Sequence, residues 1–345
     1  MPDGSPLRPA RSLSLVVLAL ILAVPGWAQA SDSSDHQQQA RELAALIEAA
    51  EYREAEDRLR RILVNHPEHP LYLSLLGYHH LKVARLPESE MALRQALETR
   101  PREPGWLKLL SSALLGQGRR REGLEVLDRA IAITPLASFR VDKAISLRET
   151  GELADAEREL RAALAREPDH AEAHRVLGEL LAERGDHGRA FDHLTRSVEL
   201  DPTDVEARFR LASSLLALDR DDEAMTTFWS VLRRAPGHAA TLQQLGRQLL
   251  KSGQAEQGRQ MLQAFRELTD LGDRIGNLER VVRDRPRNVG RRLELADLLM
   301  EARRPADAVR HYEIARASEP ENPSLEAALR QARELATAAT QVEAP

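Results

Sequence analysis

The sequence predicts an all-α solenoid of about eight helix pairs, and two observations support this. Prolines recur every 33 or 34 residues along most of the chain, an interval typical of helical solenoids. Ala, Leu, Arg and Glu, which are good helix formers, dominate the composition, whereas aromatic residues make up only 3%. We therefore expect small stacked helical units rather than a single core built around large rings.

The recurring prolines define a common register for the chain. They are Pro67, Pro101, Pro135, Pro168, Pro202 and Pro236, followed after an interruption by Pro286 and Pro320. Because proline cannot continue a helix, each one ends a repeat unit. The predicted units span about 36–69, 70–103, 104–136, 137–170, 171–204, 205–238, 239–271 and 289–322.

Small and apolar residues recur at fixed offsets before each proline, or before Asp270, which stands at the proline position of the seventh unit. Seventeen residues before come Gly118, Gly151, Gly185 and Gly253, where a left-handed residue can close a first helix. Twelve residues before come Ala55, Ala156, Ala190, Ala224 and Ala308. Eight residues before come Leu59, Leu93, Leu127, Leu160, Leu194, Phe228, Leu262 and Tyr312. Each unit is therefore predicted to hold two amphipathic helices joined by a tight turn.

The first helices carry the pairs Leu76-Gly77, Leu177-Gly178 and Leu245-Gly246. Together with the alanine, leucine and proline register of the second helices, this pattern resembles the tetratricopeptide repeat (TPR) over about residues 38–322. The resemblance implies a right-handed α-solenoid of TPR-type helix-turn-helix repeats. It also implies a concave face, formed by the first helices, that binds peptides or protein segments. The family is defined by its scaffold, so no particular partner follows from it.

Residues 1–30 read as a signal peptide. Arg8 and Arg11 precede an apolar run from Leu13 to Val24, and Ala28-Gln29-Ala30 has the form of a cleavage site. The alternative is an uncleaved membrane anchor, but the run is shorter than the roughly 20 residues that a membrane span needs. We expect cleavage after Ala30 and, if the source is a Gram-negative bacterium, a periplasmic protein.

The remaining boundaries follow from the register. We expect a flexible linker at 31–37, an array of about seven TPRs at 38–271, and a further TPR at 289–322. Residues 272–288 break the register and are expected to form an orphan helix from Ile275 to Arg283. Residues 323–345 are expected to form a capping helix from Ser324 to Ala338 and a frayed tail.

Composition narrows the classes of function. The formal net charge is -5, which does not suit a general nucleic-acid binder. The chain contains no cysteine, which excludes disulfides, thiolate metal sites and a cysteine nucleophile. No zinc-protease motif, nucleophile elbow, phosphate-binding loop or dinucleotide fingerprint is present. We therefore expect neither an enzyme nor a cofactor.

Two groups of histidines were candidates for metal ligands. His170 and His174 lie four residues apart near Glu172, and the second group comprises His66, His69, His79 and His80. A turn or helix-cap role explains these positions as well, and we predict no metal site.

Residues 274–292 are locally basic. Their basic side chains form either a solvated helix surface or a docking patch for an acidic partner or anionic lipid headgroups.

The TPR resemblance also places certain first-helix residues on the groove. The candidates are Tyr78, Lys108, Val141, Arg175, Phe209, Gln243 and Arg247. The asparagine positions that some TPR grooves use to grip a C-terminal carboxylate are not matched in this chain. Such a surface suits an extended or helical segment with apolar anchors and some acidic residues.

The sequence thus predicts a non-catalytic scaffold or adaptor of the bacterial cell envelope that binds protein or peptide partners. We expect no nucleic-acid partner and no membrane span after cleavage, and we expect docking to a membrane-associated envelope complex. The alternatives are a periplasmic chaperone-like holder of many clients and a regulatory subunit of an envelope enzyme.

Overall fold

The fold is an all-α solenoid of helical repeats, as the proline register predicts. The computed structural model describes residues 32–49, 51–319 and 321–342, and these residues form seventeen helices and no strand. They divide into two compact units at Pro202. The predicted signal peptide, its cleavage site and Pro320 lie outside the described residues. No helix within residues 32–342 is both long enough and apolar enough to cross a membrane.

The first unit consists of five helix pairs, α1 to α10, up to Pro202. The first helices are α1 (Asp32–Glu48), α3 (Pro70–Lys82), α5 (Pro104–Gly116), α7 (Ala137–Glu149) and α9 (Ala171–Glu183). The second helices are α2 (Tyr52–Asn65), α4 (Leu86–Thr99), α6 (Arg120–Ile133), α8 (Leu153–Arg166) and α10 (His187–Leu200). Proline occupies the first position of α3 and of α5, where its missing N–H has no helical partner to lose.

The second unit begins at Thr203 and contains seven helices. They are α11 (Val205–Ala217), α12 (Asp221–Arg234), α13 (Ala239–Lys251), α14 (Ala255–Asp284), α15 (Val289–Glu301), α16 (Pro305–Ser318) and α17 (Pro323–Val342). Short polar side chains cap several of them. Asp204 Oδ1, for example, accepts from the Ala207 N–H at 2.9 Å, and Asn288 Oδ1 accepts from the Arg291 N–H at 3.0 Å.

A left-handed residue closes the first helix of each described pair from the second to the last, as the recurring glycines predict. Gly118, Gly151, Gly185 and Gly253 have φ between 76° and 83°. At the equivalent position the other repeats carry Ala84, Asp219 and Arg303, with φ of 58°, 57° and 55°. Because a Cβ clashes with the backbone in this region, the conformation is strained in the residues other than glycine.

We expect the substitution Ala84→Gly to stabilise the first unit by about 1 kcal/mol, because it relieves the left-handed strain of an exposed residue. Gly151→Ala should destabilise by a similar amount, since only its φ of 81°, and no neighbouring atom, opposes a side chain. Urea unfolding followed by circular dichroism measures both effects. Equal stability of wild type and both variants would contradict this reading of the turn.

The small residues of the register allow close approach of paired helices. The alanines twelve residues before each proline are all fully buried. A Cβ placed at Gly178 on α9 would lie only 2.6 Å from Leu194 Cγ on α10, so glycine is needed there. Seven of the eight apolar residues eight positions before the proline are at most 3% exposed, and the exception is Leu262, which is half-buried.

The predicted flexible linker at 31–37 is wrong, because α1 already begins at Asp32. His36 Nδ1 lies 2.7 Å from the Tyr72 hydroxyl, and that hydroxyl donates to Gln39 Oε1 at 2.8 Å. These long-range contacts to α3 hold a polar segment helical although its own sequence shows no amphipathic period.

The predicted orphan helix at 275–283 is not a separate helix but the last part of α14, which runs unbroken for 30 residues. Gly272 and Gly276 keep negative φ, and no proline interrupts the segment, so nothing ends the helix before Asp284. The break in register is real, because α14 is about sixteen residues longer than the other second helices. The capping helix α17 likewise continues to Val342, past the predicted end at Ala338.

Candidate partner-binding face

The first candidate for the groove, Tyr78 on α3, is held by contacts within the chain. It is only 1% exposed, and its hydroxyl donates a hydrogen bond to the Glu48 carboxylate on α1. Lys82 Nζ lies 3.5 Å from the other oxygen of Glu48. Burial raises the pKa of Tyr78, and the Glu48 carboxylate adds to that rise. Tyr78 therefore links α1 to α3 through this hydrogen bond, so its hydroxyl is already engaged within the chain.

Lys108 on α5 is also engaged internally. Its ammonium lies 2.9 Å from Asp142 Oδ2 on α7 and 5.8 Å from the centre of the Phe139 ring, and the residue is 4% exposed. Burial raises the pKa of Asp142, and the Lys108 ammonium limits that rise. Its neighbour on α7, Val141, is fully buried.

Arg175 on α9 is half-buried and shares a carboxylate with a neighbouring helix. Its guanidinium lies 2.7 Å from Glu179 Oε1 and 3.3 Å from Glu172, both on α9. Arg148 on α7 binds the other oxygen of Glu179 at 2.5 Å. Two guanidinium groups therefore neutralise one buried carboxylate and tie α7 to α9.

These contacts form a series of ion pairs between first helices of the first unit. The pairs are Glu48–Lys82, Lys108–Asp142 and Arg148–Glu179. Sequence reasoning missed this series, although Glu48 and Lys82 are equivalent in the register and Asp142 lies one position after the equivalent of Lys108. Charges of opposite sign one repeat apart are the signal that could have revealed it.

In the second unit, Phe209 on α11 is 8% exposed and packs among other rings. Its centroid lies 5.8 Å from that of Phe228 and 5.0 Å from that of His238, and the Arg210 guanidinium lies 5.6 Å away. Phe209 is thus a core residue of α11 and α12.

The expectation that all seven groove candidates are accessible is therefore wrong for four of them. Tyr78, Lys108, Val141 and Phe209 are buried, because successive first helices and the second helices approach these positions closely. The accessible candidates are Arg175, Gln243 and Arg247, of which Gln243 is half-buried and Arg247 exposed. A role of any of them in binding a partner stays a prediction.

The histidines that were considered as metal ligands make other contacts in the structure. His170 Nδ1 accepts from the Ala173 N–H at 3.1 Å and caps α9, while His174 lies 2.9 Å from His193. His66 and His69 come together with His36, at ring centroids 4.8 to 6.3 Å apart, whereas His79 and His80 lie beside each other farther along α3. Within the described ranges, no three His, Asp or Glu side chains are placed to hold a metal ion.

Several basic side chains of the stretch at 274–292 already contact other residues of the chain. Arg292 is buried and donates to the Pro286 carbonyl at 2.7 Å, and Arg291 pairs with Glu294 at 2.6 Å. Arg280 donates to Asn277 Oδ1 at 2.6 Å. A docking role for the exposed arginines that remain is a prediction without a test in the structure.

Comparison with known families agrees with the repeat geometry. One tetratricopeptide repeat profile matches residues 43–104, 75–138 and 141–205, and a second matches residues 206–238. The chain belongs to the tetratricopeptide repeat family. TPRs indicate a scaffold for interactions between proteins, and the fold is generally non-catalytic. No curated protein sequence matches the chain.

Three solved structures illustrate what this chain is similar to. The human IFIT1 dimer with PPP-AAAA is 18% identical, with a TM-score of 0.53 over 82% of this chain and 72% of that one. YrrB, a TPR protein with an unusual peptide-binding site, is 22% identical, with a TM-score of 0.43 over 52% and 93%. A TPR protein from Parabacteroides merdae is 16% identical, with a TM-score of 0.46 over 76% and 97%. At such identities, the likeness to IFIT1 shows a shared fold and nothing about ligands.

Proposed function

We propose that this TPR protein is a non-catalytic scaffold of the bacterial cell envelope that binds protein or peptide segments along its first helices. The observation that carries the proposal is that repeats occupy almost all of residues 38–322, with no catalytic motif beside them. In the first unit, the ion pairs between first helices fix this face before any partner arrives. A prearranged surface loses less conformational entropy on binding than a mobile one.

The proposed partner follows from the side chains that remain accessible. Because Lys108 and Arg175 are already neutralised, Arg247 is the candidate cation that can attract an acidic residue. Each unit also keeps a half-buried groove residue: Ile145 on α7 of the first unit offers an apolar contact, and Gln243 on α13 of the second unit offers a polar one. The partner is therefore a segment with apolar anchors and an acidic residue near α13.

The envelope location rests on residues 1–30 alone. The proposal implies that the exported protein begins at Ser31. N-terminal sequencing of the protein from a periplasmic fraction tests this, and a mature chain that still begins with residues 1–30 would contradict it.

Partner capture tests the binding face. We expect a crosslinking pull-down from a native periplasmic extract to return one specific partner. The variant Ile145→Arg with Gln243→Arg should lose it, because each new charge enters the proposed first-helix face of its own unit. The matched control is Val64→Arg with Met91→Arg, two side chains on second helices that are 80% and 66% exposed.

The other outcomes of the pull-down count against the proposal in distinct ways. Retention of the partner by the first variant would place the interface on another face. Many weak partners would favour a chaperone-like holder, and an enzyme as the single partner would favour a regulatory subunit.

A further inference from the structure

The second helix of the seventh repeat, residues 255–271 of α14, is incompletely covered. Leu262 is half-buried, whereas its register equivalents, such as Leu194 and Phe228, are fully buried. Phe265 is half-buried as well, whereas the equivalent residues of the five preceding repeats are all 0% exposed. Those equivalents are Ala96, Ala130, Ala163, Ser197 and Val231. Met261 and Leu268 on the same helix are also half-buried.

The cause is the break in register. In a regular repeat the second helix packs against its own first helix and against the first helix that follows, as α4 does with α3 and α5. Here α15 packs instead on the added part of α14, along Leu271, Ile275, Leu278 and Val282. Sixteen added helical residues move that contact by about 24 Å along α14. The place where a following first helix would sit beside Met261 and Phe265 is consequently left open.

The helix α13 borders this open place with charged and apolar side chains. Leu250 is 40% exposed, although its equivalents Leu81, Leu115 and Leu216 are half-buried. Arg247 is exposed one turn earlier, and no ion-pair partner is found for it in the part of the chain that the structure describes. Arg266 is exposed on α14 and uses its Nε to donate to the Leu262 carbonyl.

We propose that this open place, the register step formed by Arg247, Leu250, Met261, Leu262 and Phe265, is a docking site for an amphipathic α-helix of a partner protein. A helix fits because, within each unit, a following first helix fills the equivalent place, as α5 does after α4 and α13 does after α12. The partner helix carries an apolar stripe against Met261 and Phe265 and acidic residues against Arg247 and Arg266. This site builds on the proposed scaffold function, and it adds a second surface to the first-helix face.

The test uses a probe taken from the chain itself. A fluorescent peptide of residues 171–183 is a first helix with Val176, Leu177, Leu180 and Leu181 on its apolar side and Glu172, Glu179 and Glu183 as acids. We expect saturable binding to the purified protein by fluorescence anisotropy, with a Kd below about 1 mM. Replacing the three glutamates of the peptide by glutamine should weaken binding about threefold or more, because the arginines then lose their partners.

Variants of the protein test whether the peptide binds at the register step. Phe265→Asp should weaken binding at least about tenfold, since it puts a carboxylate into the apolar contact and beside the acidic peptide. Leu335→Asp, at a residue that is 48% exposed on α17, is the matched control and should leave affinity unchanged. Because the chain has no cysteine, Met261→Cys can be crosslinked to a haloacetyl peptide, whereas Leu335→Cys should not react specifically.

Three results would overturn the proposal. They are no saturable binding up to 1 mM peptide, equal affinity of Phe265→Asp and wild type, or crosslinking at position 335 as efficient as at 261. Concentration-dependent dimers in sedimentation, lost in Phe265→Asp, would make a second copy of this chain the occupant instead. Loss of the pull-down partner in the Ile145 and Gln243 variant is independent of these results, so the scaffold function and the register step can fail separately.

Discussion

Replacing Asp142 by alanine should destabilise the first unit by about 3 kcal/mol. The substitution leaves the Lys108 ammonium, which is 4% exposed, without its carboxylate at 2.9 Å. The cost lies on the lysine side, because the buried ammonium has lost water and gains no other counter-ion, whereas Asp142 itself is half-buried, with 32% of its side chain exposed. The contact of Lys108 with the Phe139 ring, 5.8 Å away, offsets only a small part of this loss.

The double variant Lys108→Met with Asp142→Ala separates this effect from a loss of packing. Methionine keeps most of the apolar volume of the lysine stem, so the double variant should recover most of the lost stability. Urea unfolding of wild type, both single variants and the double variant gives the coupling between the two sites. A double variant as unstable as Asp142→Ala would show that the carboxylate stabilises α7 by other contacts.

The repeat architecture was predictable because it is local and periodic. The prolines and the glycines seventeen residues before them fix where each helix ends, and the structure confirms a left-handed residue at each described position of this kind from Ala84 to Arg303. Buried alanines and leucines at fixed offsets then bring paired helices together. These features depend on a few neighbouring residues, so one sequence suffices to find them.

The candidate face was less predictable because its exposure depends on how closely successive helices approach. The register correctly placed Lys108 and Val141 on first helices, but it could not show that a neighbouring helix buries both. The continuous helix α14 was missed for a related reason. Its lost register suggested a break, whereas the apolar contacts of Leu271 and Ile275 with α15 keep the helix intact.

The first-helix face and the register step arise from opposite features of the repeats. Regular stacking closes the first-helix face of the first unit with internal ion pairs, so few of its cations stay free. The sixteen-residue extension of α14 interrupts the stacking and exposes apolar positions that are otherwise core. A specific partner is therefore expected to gain most of its binding energy where the register fails.

Acidification from pH 7 to pH 5 should destabilise both units through two half-buried histidines, His69 and His311. Burial, together with the nearby His36, His66 and Arg100, lowers the pKa of His69 to about 4. Burial, together with Arg292 and Arg310, lowers the pKa of His311 to about 4. Both groups have an ordinary pKa of 6.5, so the unfolded chain binds more protons than the folded chain between pH 6.5 and 4.

The sign of the effect follows from this difference in proton binding. The stability that neutral His69 and His311 contribute is complete above pH 6.5, falls as the pH falls through the window from 6.5 to 4, and changes no further below pH 4. At pH 5 each histidine should have removed between about 1 and 2 kcal/mol. Urea unfolding at pH 7 and pH 5 measures the total loss.

The variants His69→Asn and His311→Gln isolate these two groups from the carboxylates that also titrate. Asparagine can cap α3 as Asn288 caps α15, and glutamine suits the interior of α16, so neither change should prevent folding. The double variant should lose less stability than wild type between pH 7 and pH 5, by about the combined contribution of the two histidines. An identical loss in wild type and double variant would mean that folding does not shift the two pKa values, and acid sensitivity would then have to come from other groups such as His79 and His193, whose pKa values burial also lowers.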